Sequence, residues 1–522
     1  MGARAGASVR SVAAPAEPDS LHLVRRLADA LAAEGIRCCA WKSTAALDRA
    51  LRGESDLDLL VAREDADRFE RILASLGFKR AWVPGRADPP GTFHAYGLDE
   101  PSGVLVPLHV HYQLVVGDDT TKNLRLPFEE AYLASAEPGP VLPVPAPGFE
   151  LVAFVLRMVL KHATWDALLA GKGALSAGEE RELAHLSARA DPEEARRAIL
   201  EHLPCVGGAL WERCRRCLEP GATRRSRIRT AWQLERALAA HGRRSARLDA
   251  PLRLWRRVVR AVRRRLGGSG GPRARLVRGG AWIAIVGADG AGKTTAARDL
   301  HRWLSPRVDA RLVHLGKPPR SGASALLHRL WRAVVRPVAR PESARRDRGD
   351  PASPAGNRTP GPVAPIPDGE RIAPRDLARL VRKVLVSRDR YLSCVRGSRF
   401  VRRGGVVVSD RFPLPRIRSM DGPATATLPR LRARSRLVRA LARLEDRYYR
   451  RIGPPDVLLV LRVPPEVAVE RRRGLEPEEE VRRRAEEIWS LDWSGLPAVV
   501  LDATRPLEEV LRQIRSAVWA RL

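Results

Sequence analysis

At 522 residues with 44% hydrophobic content, the chain is too long for one ordinary core, and its length suggests two to four domains. Its formal charge of +33 rests on 93 basic residues, only eight of them lysine; a GC-rich coding sequence is the simplest source of so much arginine, although such a surface also attracts anions non-specifically. No run of 18 apolar residues is present, which excludes an ordinary membrane helix, and six cysteines without paired spacing exclude a disulfide framework.

Residues 1–19 lack a periodic pattern and the apolar stretch of a signal peptide, so they are expected to be disordered and the protein cytoplasmic. Ser20 can cap a helix over about 21–34. Strand-like runs follow at 36–42 and 57–62, then a helix at about 64–76 and a long strand at 104–116 (VLVPLHVHYQLVV). From 148 to about 245 the pattern is helical, broken by Gly and Pro. Cys214 and Cys217 lie in it as a single C-x-x-C, without the second pair that a zinc site needs, so reduced thiols are expected.

Residues 251–266 spell a basic amphipathic helix with Leu252, Trp255, Val259, Val262 and Leu266 on one face and arginine on the other. It is expected to pack beside the linker that follows, GGSGGP at 267–272. Beyond the linker, strands expected at 281–286, 311–315, 405–409, 456–462 and 498–501 alternate with helical segments, the signature of a parallel α/β sheet. Residues 337–372, rich in Pro, Arg, Gly and Ser, read as a mobile insertion. The organisation is therefore a disordered 1–19, an α+β domain at 20–170, a helical extension at 171–266, a linker at 267–278 and an α/β domain at 279–522.

The segment Trp282–Thr295, WIAIVGADGAGKTT, contains G-x-x-x-x-G-K-T from Gly287 to Thr294, between an apolar strand and a helix. In that setting the backbone of Gly287, Ala288, Asp289, Gly290, Ala291, Gly292, Lys293, Thr294 and Thr295 can close around phosphate oxygens, because glycine puts no Cβ in the way. Lys293 would reach the β- and γ-phosphates, the Thr294 hydroxyl would ligate Mg²⁺, and the helix N-terminus would add its dipole. ATP and Mg²⁺ are the cofactors expected.

The loop G-x-D-G-A-G-K-T-T resembles that of thymidylate kinases. Further landmarks occur in the family's order: an upstream helical arginine, Arg390; a strand ending in Asp410-Arg411-Phe412; the segment Pro454–Arg473, similar to the late strand that leads to an arginine-bearing lid; and LDATRPLEEV at 501–510. The resemblance implies a P-loop NTPase sheet with helices on both faces and a kinase that moves the ATP γ-phosphate to a nucleoside monophosphate or related acceptor. It implies that Arg411 clamps the acceptor phosphate, that Asp410 holds the Mg²⁺ shell with Thr294, and that Arg471, Arg472 or Arg473 closes over the transferred group. Asp289, Arg390 and Phe412 would belong to the acceptor side. After Phe412 the chain reads PLPRIRSMDGP, without the Ser and Ala-Tyr-Gln that hold the nucleoside in thymidylate kinases, which leaves a sugar-linked acceptor open.

Residues Ala40–Val61, AWKSTAALDRALRGESDLDLLV, resemble the nucleotidyltransferase superfamily, with Ser43 in the turn and Asp56-x-Asp58 on the strand. The resemblance implies that Asp56 and Asp58 share Mg²⁺ ions with a triphosphate. Lys42 replaces the usual glycine, and the strand expected to carry a third carboxylate offers His109 and His111, read here as packed and hydrogen-bonded; Asp99 or Glu100 could fold back instead. The fold is thus expected without efficient nucleotidyl transfer. The favoured function is kinase activity, with a homodimer open to it and no specific nucleic-acid or membrane partner. The alternatives are nucleotidyl transfer by the N-terminal half, or a non-catalytic ATP-binding switch or scaffold, against which the 5% aromatic content counts.

Overall fold

The computed structural model describes residues 20–325 and 366–522, apart from 43, 86–87, 170, 172, 266–272, 317, 323–324, 370, 415–416 and 418–421. Residues 1–19, Ser43, the GGSGGP segment and most of 337–372 lie outside the described residues. The chain divides into two compact units, Met1–Pro272 and Arg273–Leu522. Both mix helices with a sheet that contains parallel pairs. No described helix is long and apolar enough to cross a membrane.

The first unit opens with α1 (His22–Ala33), β1 (Cys38–Ala40), α2 (Leu47–Leu51), β2 (Leu57–Val61), α3 (Ala66–Ser75), β3 (Lys79–Trp82), β4 (Thr92–Asp99) and β5 (Val104–His111). Within the unit these strands are ordered β1-β2-β5-β4-β3, with β2 and β5 parallel and the other pairs antiparallel. Strand alternation sorts their side chains. Leu57, Leu59, Val61, Val106, Leu108 and Val110 join α1 and α3 in one core. Leu60 and Trp41 join the helical core on the opposite face, so Asp58, His109 and His111 point toward that face as well.

The run expected as one strand at 104–116 breaks after His111 and resumes as β6 (Val115–Val116), which pairs with β7 (Leu124–Arg125). After α4 (Glu129–Ala134) comes a second ribbon of β8 (Ala136–Glu137) and β9 (Val144–Pro145). Helix α5 (Pro147–His162), begun by a proline at its first turn, is buried on almost every side. It is followed by α6 (Trp165–Leu169), α7 (Ala177–Arg189), α8 (Pro192–His202), α9 (Gly207–Cys217) and α10 (Arg224–Ala237). One apolar core runs continuously from Cys39 and Trp41 through α5 to Leu234 and Leu238, so the sheet and the helices after 171 are buried together. Cys214 and Cys217 are free, buried thiols of that core.

Helix α11 (Ala246–Arg265) packs in the reverse of the sense its amphipathicity predicts. Its charged side is inward: Asp249 and Arg253 are buried, and Arg253 pairs with Glu235, Asp166 and Asp249. Arg257 pairs with Asp118 and Asp166. Trp255, 65% exposed, shares the outer side with Leu254, Val258 and Val262. Carboxylates already buried in the unit require counter-ions more than the apolar stripe requires cover.

The second unit starts with β10 (Arg275–Leu276) and then alternates β11 (Trp282–Gly287), α12 (Lys293–Leu304) and β12 (Ala310–Val313). Next come α13 (Pro374–Val401), β13 (Val406–Ser409), α14 (Pro429–Arg434), α15 (Arg436–Arg450), β14 (Val457–Arg462), α16 (Pro465–Arg472), α17 (Glu478–Ser490), β15 (Ala498–Asp502) and α18 (Leu507–Arg521). Its sheet, ordered β12-β13-β11-β14-β15, is parallel throughout, with β11 central. Trp282, Ala284 and Val286 pack into a core with Cys394 of α13 and Ile488 of α17. Helices α12 and α18 pack on each other, and contact β11 and β14 respectively. The central strands β13, β11 and β14 are buried, as parallel strands between helices must be, and each reads as an apolar run, whereas the edge strands β12 and β15 are partly exposed.

Candidate functional site

In the second unit, the order of the parallel strands places the loop between β11 and α12 beside the C-terminal end of β13, the edge at which open α/β sheets bind ligands. Gly290 and Gly292 adopt left-handed φ of +88° and +85°, which lets the chain turn tightly into α12. A Cβ on Gly287 would stand 2.5 Å from the carbonyl oxygen of Leu461, so the loop can run this close to β14 only without a side chain there.

Lys293 folds back over its own loop. Its Nζ donates to the carbonyl oxygens of Gly287 at 3.0 Å and Ala288 at 2.7 Å, with Asp289 Oδ1 at 3.4 Å. Burial lowers the Lys293 pKa from its ordinary value, against the pull of Asp289. Thr294 Oγ1 donates to Asp410 Oδ2 at 3.1 Å, joining the first turn of α12 to the end of β13. His314, just past β12, holds the other oxygen of the same carboxylate through Nδ1. Burial alone would raise the Asp410 carboxyl, but His314, Thr294 and Arg411 outweigh it and hold it below the usual carboxylate range.

Asp289 is a junction of cations. Besides Lys293 it meets Arg484 Nη1 of α17 at 2.9 Å and Arg411 Nη2 at 3.8 Å. These partners overcome the cost of its burial and keep it ionised. Arg484 also pairs with Glu476 and Glu480, so it is tied to its own helix as well as to the loop. Arg471 donates to the carbonyl oxygens of Gly290 at 3.4 Å and Ala503 at 3.1 Å. Lys293, Thr294, Asp289, Asp410, Arg411 and Arg471 therefore meet around one loop.

Two of the residues expected there are turned elsewhere. Arg390 is buried, donating through Nε to Leu315 O at 2.9 Å and through Nη1 to the Tyr449 hydroxyl. Phe412 is buried edge-on against Trp282, with ring centroids 5.9 Å apart, and belongs to the core. Sequence reading missed His314 and Arg484. His314 had a signal, since it follows a parallel strand at its C-terminal end; Arg484 had none that distinguished it among the arginines of α17.

In the first unit, Asp58 stands opposite His109 in the parallel register of β2 and β5. Asp58 Oδ1 lies 2.8 Å from His109 Nδ1, 3.2 Å from His111 Nε2 and 2.8 Å from Lys42 Nζ. Burial would raise the Asp58 carboxyl, yet Lys42 first, and then His109, hold it well below its ordinary value. Burial pushes His109 down to about 3 and His111 well below its usual value, so both imidazoles are neutral near neutral pH. Lys42 reaches the group from a left-handed backbone, φ +71°, a conformation that glycine adopts more readily than a residue with a side chain. Trp41 sits beneath the Lys42 ammonium at 4.5 Å, and His94 stacks on His109 at 4.0 Å.

The group converging among the described residues is Asp58, His109 and His111, without Asp56, which lies exposed just ahead of β2. Asp99 does not replace a third carboxylate. It sits at the far end of β4, opposite Val104, and accepts from Leu23 N at 2.7 Å and from Ser102. His94 was missed by sequence reading because only the β4–β5 register sets it opposite His109.

No protein-family model matches this chain, and no curated protein matches it.

Proposed function

We propose that the second unit is an ATP- and Mg²⁺-dependent phosphotransferase of the thymidylate kinase type, acting on a nucleoside monophosphate or a related phosphorylated or sugar-linked acceptor. The observation that carries this reading is the bond from Thr294 to Asp410 across neighbouring parallel strands, beneath a glycine loop that leads into α12. A P-loop kinase needs that pair at that place: a hydroxyl and a carboxylate on adjacent elements, ready to share a magnesium shell.

Phosphoryl transfer asks a protein for position and positive charge more than for covalent chemistry. Gly287 to Thr295 would wrap the nucleotide phosphates, and Lys293 would exchange its two backbone carbonyl partners for β- and γ-oxygens. Arg411 and Arg471 would neutralise charge on the moving group. Asp289 holds Arg411 and Arg484 at the loop, where an acceptor phosphate would recruit them. Mg²⁺, which Thr294 and Asp410 would hold, would supply charge neutralisation to the phosphates.

The test is direct. The purified chain is incubated with Mg²⁺-ATP and a panel of nucleoside monophosphates, nucleosides and sugar-linked acceptors, and ADP release and product mass are measured. Acceptor-dependent ADP formation, lost in Lys293→Ala, is the expected result. ATP binding with no transfer to any acceptor would favour a nucleotide-controlled switch instead.

A further inference from the structure

Asp58, His109 and His111 are carried to one point by two neighbouring parallel strands. The triangle of Asp58 Oδ1, His109 Nδ1 and His111 Nε2 has edges of 2.8, 3.2 and 3.1 Å. Ligand atoms about 2.0–2.2 Å from one ion, at roughly 90–110° to each other, stand about 2.8–3.6 Å apart. The triangle thus has the dimensions of one face of a coordination shell.

Pairing among the side chains alone accounts for the group poorly. An ammonium only donates, so the approach of Lys42 Nζ to His111 Nε2 at 3.1 Å needs a lone pair on that nitrogen. Neutral His111 then carries its proton on Nδ1, which is buried and has no hydrogen-bond partner. Two imidazole nitrogens and a carboxylate oxygen are left facing one small volume, and a cation already stands at its edge, the ammonium of Lys42.

We propose that Asp58, His109 and His111 form a site for one divalent transition-metal ion of the zinc type, and that Lys42 is a tethered cation that competes with the ion for this site. Two imidazoles and one carboxylate suit zinc, cobalt or nickel, whereas magnesium prefers a shell of oxygens. The ligand set differs from the Asp56–Asp58 magnesium pair implied by the sequence resemblance. It also stands apart from the kinase reading, since all four residues belong to the first unit.

The experiment uses the full chain, stripped with a chelator, desalted and held in excess Mg²⁺ to fill any magnesium site. Co²⁺ is titrated in and followed by visible absorption and calorimetry. The expected result is one Co²⁺ per chain with a nitrogen–oxygen ligand-field spectrum, displaced by Zn²⁺. His109→Gln and His111→Gln should each weaken binding on the order of tenfold or more. Lys42→Met, which removes no ligand, should tighten it, and Co²⁺ should raise the melting temperature of that variant more than that of the parent. This arm decides the matter even if the histidine variants fail to fold. The proposal is overturned if neither parent nor Lys42→Met binds Co²⁺, if binding survives both histidine changes, or if a thiolate charge-transfer band places the ion at cysteine.

Discussion

Arg484 Nη1 stands 2.9 Å from Asp289 Oδ2 and 3.0 Å from Glu476 Oε2, so a single guanidinium ties α17 to the glycine loop after β11. Only a quarter or less of the Arg484 side chain is open to solvent, which makes the contact less screened than a surface pair.

If an acceptor phosphate recruits Arg484 from Asp289 as proposed, Arg484→Gln should lower kcat on the order of 10–100-fold while ATP affinity changes little. Steady-state kinetics beside ATP titration separates the two. An unchanged kcat would reduce Arg484 to a structural tie.

Lys293→Ala should reduce phosphoryl transfer on the order of 100-fold or more, because a buried charge aimed at the moving phosphate is removed. The fold should persist, since among the described residues Lys293 is hydrogen-bonded within its own loop. Turnover is checked beside circular dichroism. Normal turnover in a folded variant would end the phosphate-loop reading.

Arg411→Ala should cost about 1.5–3 kcal/mol in transition-state stabilisation, the worth of a charge-assisted phosphate bond. The loss should appear in kcat/KM for the acceptor and leave the ATP dissociation constant nearly untouched. Equal losses for both substrates would assign Arg411 to the nucleotide rather than to the acceptor.

Glu179 offers a test of stability against pH. It accepts from Lys161 Nζ at 2.7 Å, His162 Nε2 at 3.3 Å and Ser176 N at 2.8 Å, and it completes the capping box of α7. Burial opposes its charge, but those bonds prevail and hold its carboxyl far below the ordinary value. A depressed folded pKa adds stability that is complete above the unfolded value of about 4.3 and drains away as pH falls below it. Glu179→Gln should therefore lower stability by about 1–2 kcal/mol at pH 7 and flatten its decline between about pH 5 and 3. Denaturant melts across that range check it; an unchanged acid limb would show that other carboxylates set it.

The second unit was legible because its signals are local. The central parallel strands are apolar runs, and the strands expected at 281–286, 456–462 and 498–501 lie within a residue of β11, β14 and β15. Gly290, Gly292 and Lys293 announce a turn by their own chemistry. His314 and Arg484 gain meaning only from residues 96 and 195 positions away, Asp410 and Asp289, which no local pattern encodes. The same holds in the first unit. Asp58 and the histidines could be read as strand residues, but their convergence depends on a parallel register between β2 and β5. Helix α11 misled for a related reason: periodicity weighs each residue by its own hydropathy and does not see the distant carboxylates that draw Arg253 and Arg257 inward.

That inward set of arginines decides where the first unit can be cut. Asp118 and Asp166 are buried, and Arg257 forms an ion pair with each, while Arg256 donates to the Thr120 carbonyl at 2.7 Å. A fragment ending near residue 245, before α11, would strand these carboxylates without counter-ions, and such a loss costs on the order of 3–5 kcal/mol for a buried pair. An N-terminal fragment that keeps these pairs therefore has to run through Arg257 at least, and α11 serves the sheet domain as a strut rather than as the start of a tether.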